Sequence, residues 1–313
     1  MNKPLNPQNK TYHFPSPAKL NLYLHVVGQR SDGYHELQTL FQFIDYCDTL
    51  SITLPETTDD ISHQDHIELL TPIKGVKDED NLIVKAALLL KKEAKLASSV
   101  SQQNENIFYG AKISIDKILP MGGGLGGGSS NAATVLLALN KLWKINFSIQ
   151  KLATLGLSLG ADVPIFIHGF SAFAQGVGEK LIAVEPKEHW YLVTKPDCSI
   201  STESVFKSPD LPRKTPRKDP LSPQVDLCNV DDWHNDCQEM VIKHYPEVAK
   251  LLSWLLEYAP SRMTGTGACI FSRFNCRKEA YKVQDELPTG TYSFITQGLN
   301  VSPLRSVIEQ LNN

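Results

Sequence analysis

The clearest chemical signal in this sequence is a run of glycines followed by hydroxyl residues. Residues 120–133 read Pro-Met-Gly-Gly-Gly-Leu-Gly-Gly-Gly-Ser-Ser-Asn-Ala-Ala. Glycine lets a backbone approach an anion closely and adopt positive φ, and the free N–H groups of a following helix supply donors. The run therefore predicts a loop that holds the phosphates of a nucleotide triphosphate. The candidate binding residues are Pro120, Met121, Gly122, Gly123, Gly124, Leu125, Gly126, Gly127, Gly128, Ser129 and Ser130.

The residues on either side of the loop predict the elements that would position it. Residues 111–118 alternate apolar and polar, which is typical of a half-buried strand. From Ala132 to Trp143, apolar residues recur at helical spacing, and Ser129, Ser130 or Asn131 would cap this helix. The order is strand, glycine loop and helix, as a phosphate site requires. The alternative is a glycine-rich turn that binds nothing, but interior glycines cost about 1 kcal/mol each relative to alanine.

Three familiar kinds of nucleotide site lack their partner residues here. A P-loop needs a lysine after its glycines, and no lysine lies between Lys117 and Lys141. A dinucleotide fold needs an acidic residue about 20 positions on, but Asp and Glu are absent from 128–161. A protein kinase needs His-Arg-Asp and Asp-Phe-Gly strings, and neither occurs. A different kinase class remains.

Three segments in order resemble the superfamily of galactokinase, homoserine kinase, mevalonate kinase and phosphomevalonate kinase. They are Pro-Ala-Lys-Leu-Asn-Leu at 17–22, the glycine loop, and Thr-Gly-Thr-Gly-Ala-Cys at 264–269. Two further segments are similar to the family of 4-diphosphocytidyl-2-C-methyl-D-erythritol kinases. These are the run 28–35, which ends in Asp-Gly-Tyr-His, and Gly-Ala-Asp-Val-Pro at 160–164. The resemblance covers nearly the whole chain.

The resemblance implies an α+β fold with two domains, each a split βαβ unit. The N-terminal ATP-binding domain would span 1–187 and a C-terminal domain, 188–313, would complete the substrate cleft. The break is expected where Glu-Pro-Lys-Glu at 185–188 precedes a strand-like segment at 190–194. The proline-rich, basic stretch 207–223 predicts a loop, whose charges more often form a solvated face than a phosphate clamp.

The implied reaction is ATP-dependent phosphorylation of the 2-hydroxyl of 4-diphosphocytidyl-2-C-methyl-D-erythritol, in non-mevalonate isoprenoid precursor biosynthesis. Phosphoryl transfer needs positive charge and a carboxylate near the acceptor hydroxyl, and the family match gives these roles to Lys19 and Asp162. Without that match, Asp162 would be a turn former and Lys19 a strand-edge lysine. Whether Asp162 removes the proton or only orients the hydroxyl stays open.

The resemblance also assigns the ligand contacts. Asn21 would hold the erythritol part, Asn81 would meet the adenine, and Gly265 with Thr266 would bind substrate. Three residues would frame the cytosine: Tyr34, His35 and Phe206. Core packing is the alternative for these aromatic residues, and for Phe41 core and pocket are both open.

The reaction implies Mg²⁺, whose ligands the sequence does not assign. The wider superfamily places serines directly after Gly-Leu-Gly, whereas here Gly127 and Gly128 intervene. Either Ser129 or Ser130 could therefore reach the cation, or neither. The alternative functions are another small-alcohol kinase of the same superfamily, such as mevalonate or homoserine kinase, and a non-catalytic nucleotide-binding regulator. A dinucleotide-dependent oxidoreductase is a third, but it lacks its ribose carboxylate.

Composition is that of a soluble enzyme. The chain has 313 residues, 42% hydrophobic and 21% charged, and a net charge of −3, which argues against a nucleic-acid partner. It has no apolar run of about 18 residues and no apolar N-terminal stretch, so we expect no membrane contact and a cytoplasmic location. The six cysteines form no Cys-x-x-Cys pair and are expected to be reduced.

Overall fold

Two long antiparallel strands form the first part of the chain. In the computed structural model, which describes residues 10–55, 64–100, 109–222, 225–229 and 234–311, they are β1 (Thr11–Gln29) and β2 (His35–Thr53), each of 19 residues. They pair from Thr11 opposite Thr53 to Gln29 opposite His35, with three register shifts along the way. The turn between them carries Asp32, Gly33 and Tyr34 of the Asp-Gly-Tyr-His run, and His35 is the first residue of β2.

The remaining strands are short. They are β3 (Ile67–Leu69), β4 (Ala111–Asp116), β5 (Ala172–Gly176), β6 (Lys180–Ala183), β7 (Trp190–Lys195), β8 (Ser261–Met263), β9 (Ile270–Phe274) and β10 (Tyr292–Leu299). The described helices are α1 (Leu82–Val100), α2 (Gly127–Leu142), α3 (Ile149–Leu159), α4 (Val163–His168), α5 (Thr202–Lys207), α6 (Asp236–His244), α7 (Pro246–Leu256), α8 (Arg277–Asp285) and α9 (Pro303–Gln310).

One ten-stranded sheet joins the two halves of the chain, and β2 is its centre. Along one edge β2 pairs with β1. Along the other it pairs successively with β5 (37–41), β10 (43–44) and β4 (49–53). From β10 the sheet continues through β7 and β9 to β8, with every pair antiparallel except β3 and β4.

Helices cover the sheet in two groups. α1 to α4 pack together over the first half, and α2 also contacts β1 and β2. Every residue of α2 from Ser130 to Asn140 is buried, because sheet and helices surround it. α6 and α7 pack together in the second half, where α8 lies against β7. Helix α2 is thus held rigidly behind the loop that precedes it.

The structure confirms the predicted α+β class and the strand and helix around the glycine run, although β4 ends two residues earlier than predicted. The predicted strand at 190–194 is β7. Of the predicted loop 207–223, Lys207 is the last residue of α5, and residues 208–222 contain no helix or strand. Because the sheet is continuous across β10 and β2, the boundary at residues 187 and 188 stays a prediction. Among the described helices, none combines the length and apolarity needed to span a bilayer.

Candidate active site

The glycine loop closes against a segment far along the chain. The Ala268 N–H donates to the Gly122 carbonyl at 3.2 Å, and the Cys269 N–H donates to the Gly123 carbonyl at 3.2 Å. Gly124 has φ +75°, and a Cβ there would overlap the carbonyl oxygen of Thr264. Only glycine tolerates both the backbone conformation and this approach. The first half of the chain thus supplies the loop, and the second half supplies a wall for it.

Helix α2 begins earlier than the sequence predicts. Its first residue is Gly127 and its N-cap is Gly126, at φ +73° and without a side-chain cap, so the predicted caps Ser129, Ser130 and Asn131 are wrong. The physical reason is that Gly126 reaches the left-handed conformation that turns the loop into the helix. The helix therefore starts with N–H groups that no side chain covers, a favourable arrangement for an anion.

Lys19 lies on β1 with a side chain that is only 3% exposed. Its Nζ is 3.3 Å from Asp162 Oδ2, and it donates to Asn21 Oδ1 at 2.5 Å and to the Gly124 carbonyl at 3.1 Å. The Phe41 ring centroid lies 5.2 Å from the same nitrogen. The Lys19 ammonium thus contacts both the Asp162 carboxylate and the glycine loop. The sequence around Lys19 does not by itself reveal these contacts.

Asp162 occupies the turn between α3 and α4. It is the residue before Val163, the first residue of α4, yet its side chain does not cap that helix. The side chain is 34% exposed and faces the same cleft as Lys19. The carboxylate is therefore available to a ligand rather than committed to holding the turn.

Asn21 is fixed from several sides. Its N–H donates to Thr264 Oγ1 at 2.8 Å, and its Nδ2 donates to Thr39 Oγ1 at 2.8 Å. Because Oδ1 accepts from Lys19, all these polar groups of Asn21 are satisfied within the protein. A carbon at Gly265 Cβ would lie 3.3 Å from that Oδ1, which places the 264–267 turn beside Lys19.

Three aromatic residues lie at one end of the cleft. The His35 and Phe206 rings stack with centroids 5.1 Å apart and planes inclined by 27°. Tyr34 is 64% exposed, so its ring is open to solvent and available for a ligand to cover. Burial and the nearby Arg213 charge lower the pKa of His35 below its usual value. The imidazole is therefore neutral near pH 7.

Asn81 lies directly before α1, and its neighbour Leu82 is beside the start of α2, since a Cβ at Gly128 would lie 3.5 Å from Leu82 Cδ1. Its Oδ1 accepts from the Ile83 N–H at 3.0 Å, while Nδ2 is buried and has no partner among the described residues. The cleft is apolar here and is lined by Ile73, Val76 and Leu82. An unpaired buried donor costs free energy that a ligand acceptor would recover. A flat heterocycle with ring acceptors fits this part of the cleft.

All of these residues line one cleft of about 1200 Å³. Of the predicted site residues, only Ser130 is absent from the lining. It is fully buried, and its hydroxyl accepts a hydrogen bond from Ser16 at 2.9 Å. Ser129 does line the cleft. Phe41 is both core and pocket, because it is 2% exposed and its ring still borders the cleft.

Sequence reasoning missed the buried carboxylate that shapes the loop. Asp48 Oδ1 accepts from the N–H groups of Ile118 and Leu119 at 2.9 and 2.8 Å. Its Oδ2 accepts from Lys117 Nζ at 2.5 Å and from Asn131 Nδ2 at 3.0 Å. Asp48 thus ties β2 to the entry of the loop and to α2. No local pattern marks this residue, since its partners are 69 to 83 positions away.

Known proteins similar to this chain fall in one kinase family. The model for the GHMP kinases N terminal domain matches residues 81–170, and that for the GHMP kinases C terminal matches 226–292. The 4-diphosphocytidyl-2-C-methyl-D-erythritol kinase of Colwellia psychrerythraea is 62% identical over 97% of this chain and 95% of its own length. The enzyme of the same name from Shewanella frigidimarina is 54% identical over 95% of both chains.

Two solved structures extend the comparison. A crystal structure of 4-(cytidine 5'-diphospho)-2C-methyl-D-erythritol kinase matches with a TM-score of 0.72 at 27% identity, over 92% of this chain and 99% of that one. The mevalonate kinase of Methanococcus jannaschii matches with a TM-score of 0.58 at 13% identity, over 95% of this chain and all of that one. The second match concerns the fold alone.

Proposed function

The chain belongs to the 4-diphosphocytidyl-2-C-methyl-D-erythritol kinases of the GHMP kinase family, and we propose that Lys19 and Asp162 are its catalytic pair. The enzyme phosphorylates its cytidylated acceptor with ATP, in isoprenoid precursor biosynthesis. The single observation that supports the pair is the 3.3 Å contact between Lys19 Nζ and Asp162 Oδ2, directly beside Gly124.

The proposed transfer step uses that contact. The 2-hydroxyl oxygen of the acceptor forms a bond to the γ-phosphorus while the bond from that phosphorus to the bridging oxygen of ADP breaks. Asp162 either accepts the hydroxyl proton or orients the hydroxyl for attack. Lys19 stabilises the charge that spreads over the transferring phosphoryl oxygens. The products are ADP and the 2-phosphate.

The phosphates of ATP would lie along residues 120–129. The loop offers glycine backbone without side chains, and helix α2 adds uncapped N–H groups and the positive end of its dipole. Beside the start of α1, the adenine would contact the unpaired Nδ2 of Asn81 and the apolar residues around it.

We also propose that the enzyme acts in the cytoplasm.

Mg²⁺ would enter with ATP. The available donors fit a hard cation, because Ser129 offers a hydroxyl that lines the cleft and the phosphates of ATP bring further oxygen ligands. A Cβ at Gly160 would lie 3.6 Å from Ser129 Oγ, which places that hydroxyl beside the turn leading to Asp162. We therefore propose Ser129 rather than the buried Ser130. When bound, the cation neutralises charge on the phosphate oxygens.

The acceptor class is tested by an ADP-release assay over a panel of alcohols. We expect rapid turnover of 4-diphosphocytidyl-2-C-methyl-D-erythritol and much slower turnover of 2-C-methylerythritol, mevalonate and homoserine. The cytidine diphosphate supplies remote binding energy that positions the hydroxyl, so truncation lowers rate as well as affinity. Equal kcat/KM for the bare polyol and the cytidylated compound would reject this substrate and favour another small-alcohol kinase.

Phe206→Ala should raise the KM for the cytidylated acceptor roughly tenfold and leave the KM for ATP nearly unchanged. Stacking a base on an aromatic ring is worth about 1–3 kcal/mol, and the Phe206 ring stacks on His35 in the cleft. Steady-state kinetics with each substrate varied in turn measures this. Tyr281→Ala is the control, since Tyr281 is an exposed aromatic on α8 outside the cleft. An unchanged acceptor KM would place the base elsewhere.

Gly126→Val should raise the KM for ATP about tenfold or more. A β-branched residue at φ +73° is strained, and its Cβ would lie 2.9 Å from the Phe166 ring and 3.1 Å from Lys19 Cε. Because the side chain reaches Lys19, kcat should also fall, whereas the KM for the acceptor should change little.

Gly290→Val is the matched control for that substitution. Gly290 has φ +87° with nothing within 4 Å of a Cβ, and it does not line the cleft. It carries the same kind of backbone strain without the contacts of the loop. Equal kinetic losses in the two variants would mean general damage rather than a phosphate site.

A further inference from the structure

Arg213 uses its whole guanidinium group at the aromatic end of the cleft. Nη2 donates to the carbonyls of Phe206 and Ser208 at 3.2 and 2.7 Å, and Nη1 donates to the Leu211 carbonyl at 3.1 Å. Nε donates to His35 Nε2 at 3.2 Å. One side chain therefore connects the C-terminal end of α5, which carries Phe206, to the first residue of β2.

The Arg213 contact determines which nitrogen of His35 holds its proton. A guanidinium can only donate hydrogen bonds, so His35 Nε2 must accept and the neutral ring carries its proton on Nδ1. Nδ1 has no hydrogen-bond partner among the described residues, and the ring lines the cleft. The chain thus presents a donor of fixed identity at the edge of the ring on whose face Phe206 stacks.

Other charges around His35 are already paired. In the turn before it, Asp32 Oδ2 is 3.0 Å from Arg30 Nη2 and Asp32 Oδ1 accepts from the Tyr34 N–H. After it, Glu36 Oε2 is 3.4 Å from Arg217 Nη2. The register partner on β1 is the neutral Gln29, and α5 presents Phe206. Arg213 is therefore the described charge that bears directly on the imidazole.

We propose that Arg213 is a positioning residue for pyrimidine recognition: it holds His35 as the neutral Nδ1–H tautomer and keeps the Phe206 ring stacked against it. A cytosine has a ring nitrogen and a carbonyl oxygen that accept hydrogen bonds, so a fixed donor beside a stacking face suits it. The inference rests on the proposed function, which places the cytidine at this end. It gives one of the basic residues of the 207–223 stretch a role in the interior of the site.

Arg213→Met tests the role, because methionine keeps an unbranched apolar stem and removes all five donors. We expect the KM for the cytidylated acceptor to rise about tenfold while the KM for ATP stays unchanged. The increase should be larger at pH 6 than at pH 8. Losing the Arg213 charge raises the pKa of His35 toward its ordinary value, so more of the ring is protonated as the pH falls. In the unsubstituted enzyme, burial and the Arg213 charge keep the pKa of His35 below its usual value, so less of the ring is protonated at pH 6 than in the variant.

Arg217→Met is the matched control, since Arg217 lies in the same stretch, is exposed and pairs with Glu36 outside the cleft. It should leave both KM values and their pH dependence unchanged. An acceptor KM that is unaltered in a folded Arg213→Met protein would overturn the proposal. Should that variant fail to fold, Arg213→Lys keeps the charge without the planar fork and should still raise the acceptor KM.

A second measurement needs no substrate. Long-range ¹H–¹⁵N spectra report the tautomer of each histidine ring, and comparison with His35→Gln assigns the His35 signals. At pH 7 the unsubstituted protein should show the Nδ1–H tautomer of His35. In Arg213→Met this tautomer should no longer be the main form. An Nε2–H tautomer in the unsubstituted protein would overturn the inference even if the acceptor assignment holds. Failure to phosphorylate any cytidylated alcohol would instead count against the proposed function, and the spectra would still decide the role of Arg213.

Discussion

Replacing Asp162 by asparagine should lower kcat by about 10²-fold or more while the KM for ATP stays nearly unchanged. Asparagine has the same size but neither accepts the hydroxyl proton nor carries the charge that Lys19 faces at 3.3 Å. Stability should change by less than about 1 kcal/mol, because the side chain is partly exposed and does not cap α4. Single-turnover kinetics and thermal unfolding of the same preparation measure the two effects separately.

The control for Asp162→Asn is Asp116→Asn. Asp116 is an exposed carboxylate at the end of β4, close to the glycine loop in sequence but outside the cleft lining. Its replacement should leave kcat within about twofold, because the side chain lies outside the cleft, and should change the stability by less than about 0.5 kcal/mol. If Asp162→Asn retained near-normal turnover, the carboxylate would have no part in the transfer step.

Lys19→Met should lower kcat by about 10²- to 10³-fold and also destabilise the protein. Removing one preorganised donor from a developing oxyanion typically costs this much in rate. The stability loss should be about 1–3 kcal/mol, because Asn21 Oδ1 and the Gly124 carbonyl lose their buried donor. Measuring kcat and the free energy of unfolding at one temperature separates the two losses.

Lys112→Met supplies the comparison, since Lys112 is an exposed residue of β4 and should affect neither quantity appreciably. A Lys19→Met enzyme that was destabilised but turned over within threefold of the normal rate would make Lys19 a structural residue. Loss of rate without loss of ATP binding is the expected pattern, because the ammonium contacts the carbonyl of Gly124 and the substitution leaves the N–H groups of the loop in place.

The parts of the fold that periodicity predicted are those in which neighbours along the chain determine the outcome. The alternation at 111–118 and the helical spacing after Ala132 are local, and both elements occur, although β4 ends earlier and α2 begins earlier than predicted. The helix cap was predicted wrongly because hydroxyl residues are the usual caps, whereas here the left-handed Gly126 precedes them. Lys19 and Asp162 were assigned to one site because the motifs that contain them resemble those of a known family. No pattern of apolar and polar residues predicted this pairing.

The rest of the site depends on contacts between residues far apart in sequence. Asp48 is a fully buried carboxylate whose partners arrive from β4 and α2, and Arg213 reaches His35 across 178 positions. Nothing in the residues around either position indicates these partners. A single sequence gives the spacing of residues along the chain. It does not give the register of the ten-stranded sheet, which determines which distant residues are in contact.

Because the 264–269 segment closes the glycine loop, the loop can reach its final structure only after most of the chain has been synthesised. Asn21 forms its backbone hydrogen bond with Thr264, which is 243 residues later in the chain. Gly122 and Gly123 likewise accept hydrogen bonds from Ala268 and Cys269. Ordering such distant partners is slow, since the entropy of closing a large loop is lost before the contacts compensate. A nascent chain that has left the ribosome through α2 therefore carries the glycine loop without its wall. We expect nucleotide affinity to arise late in biosynthesis, as a property of the finished chain rather than of its first half.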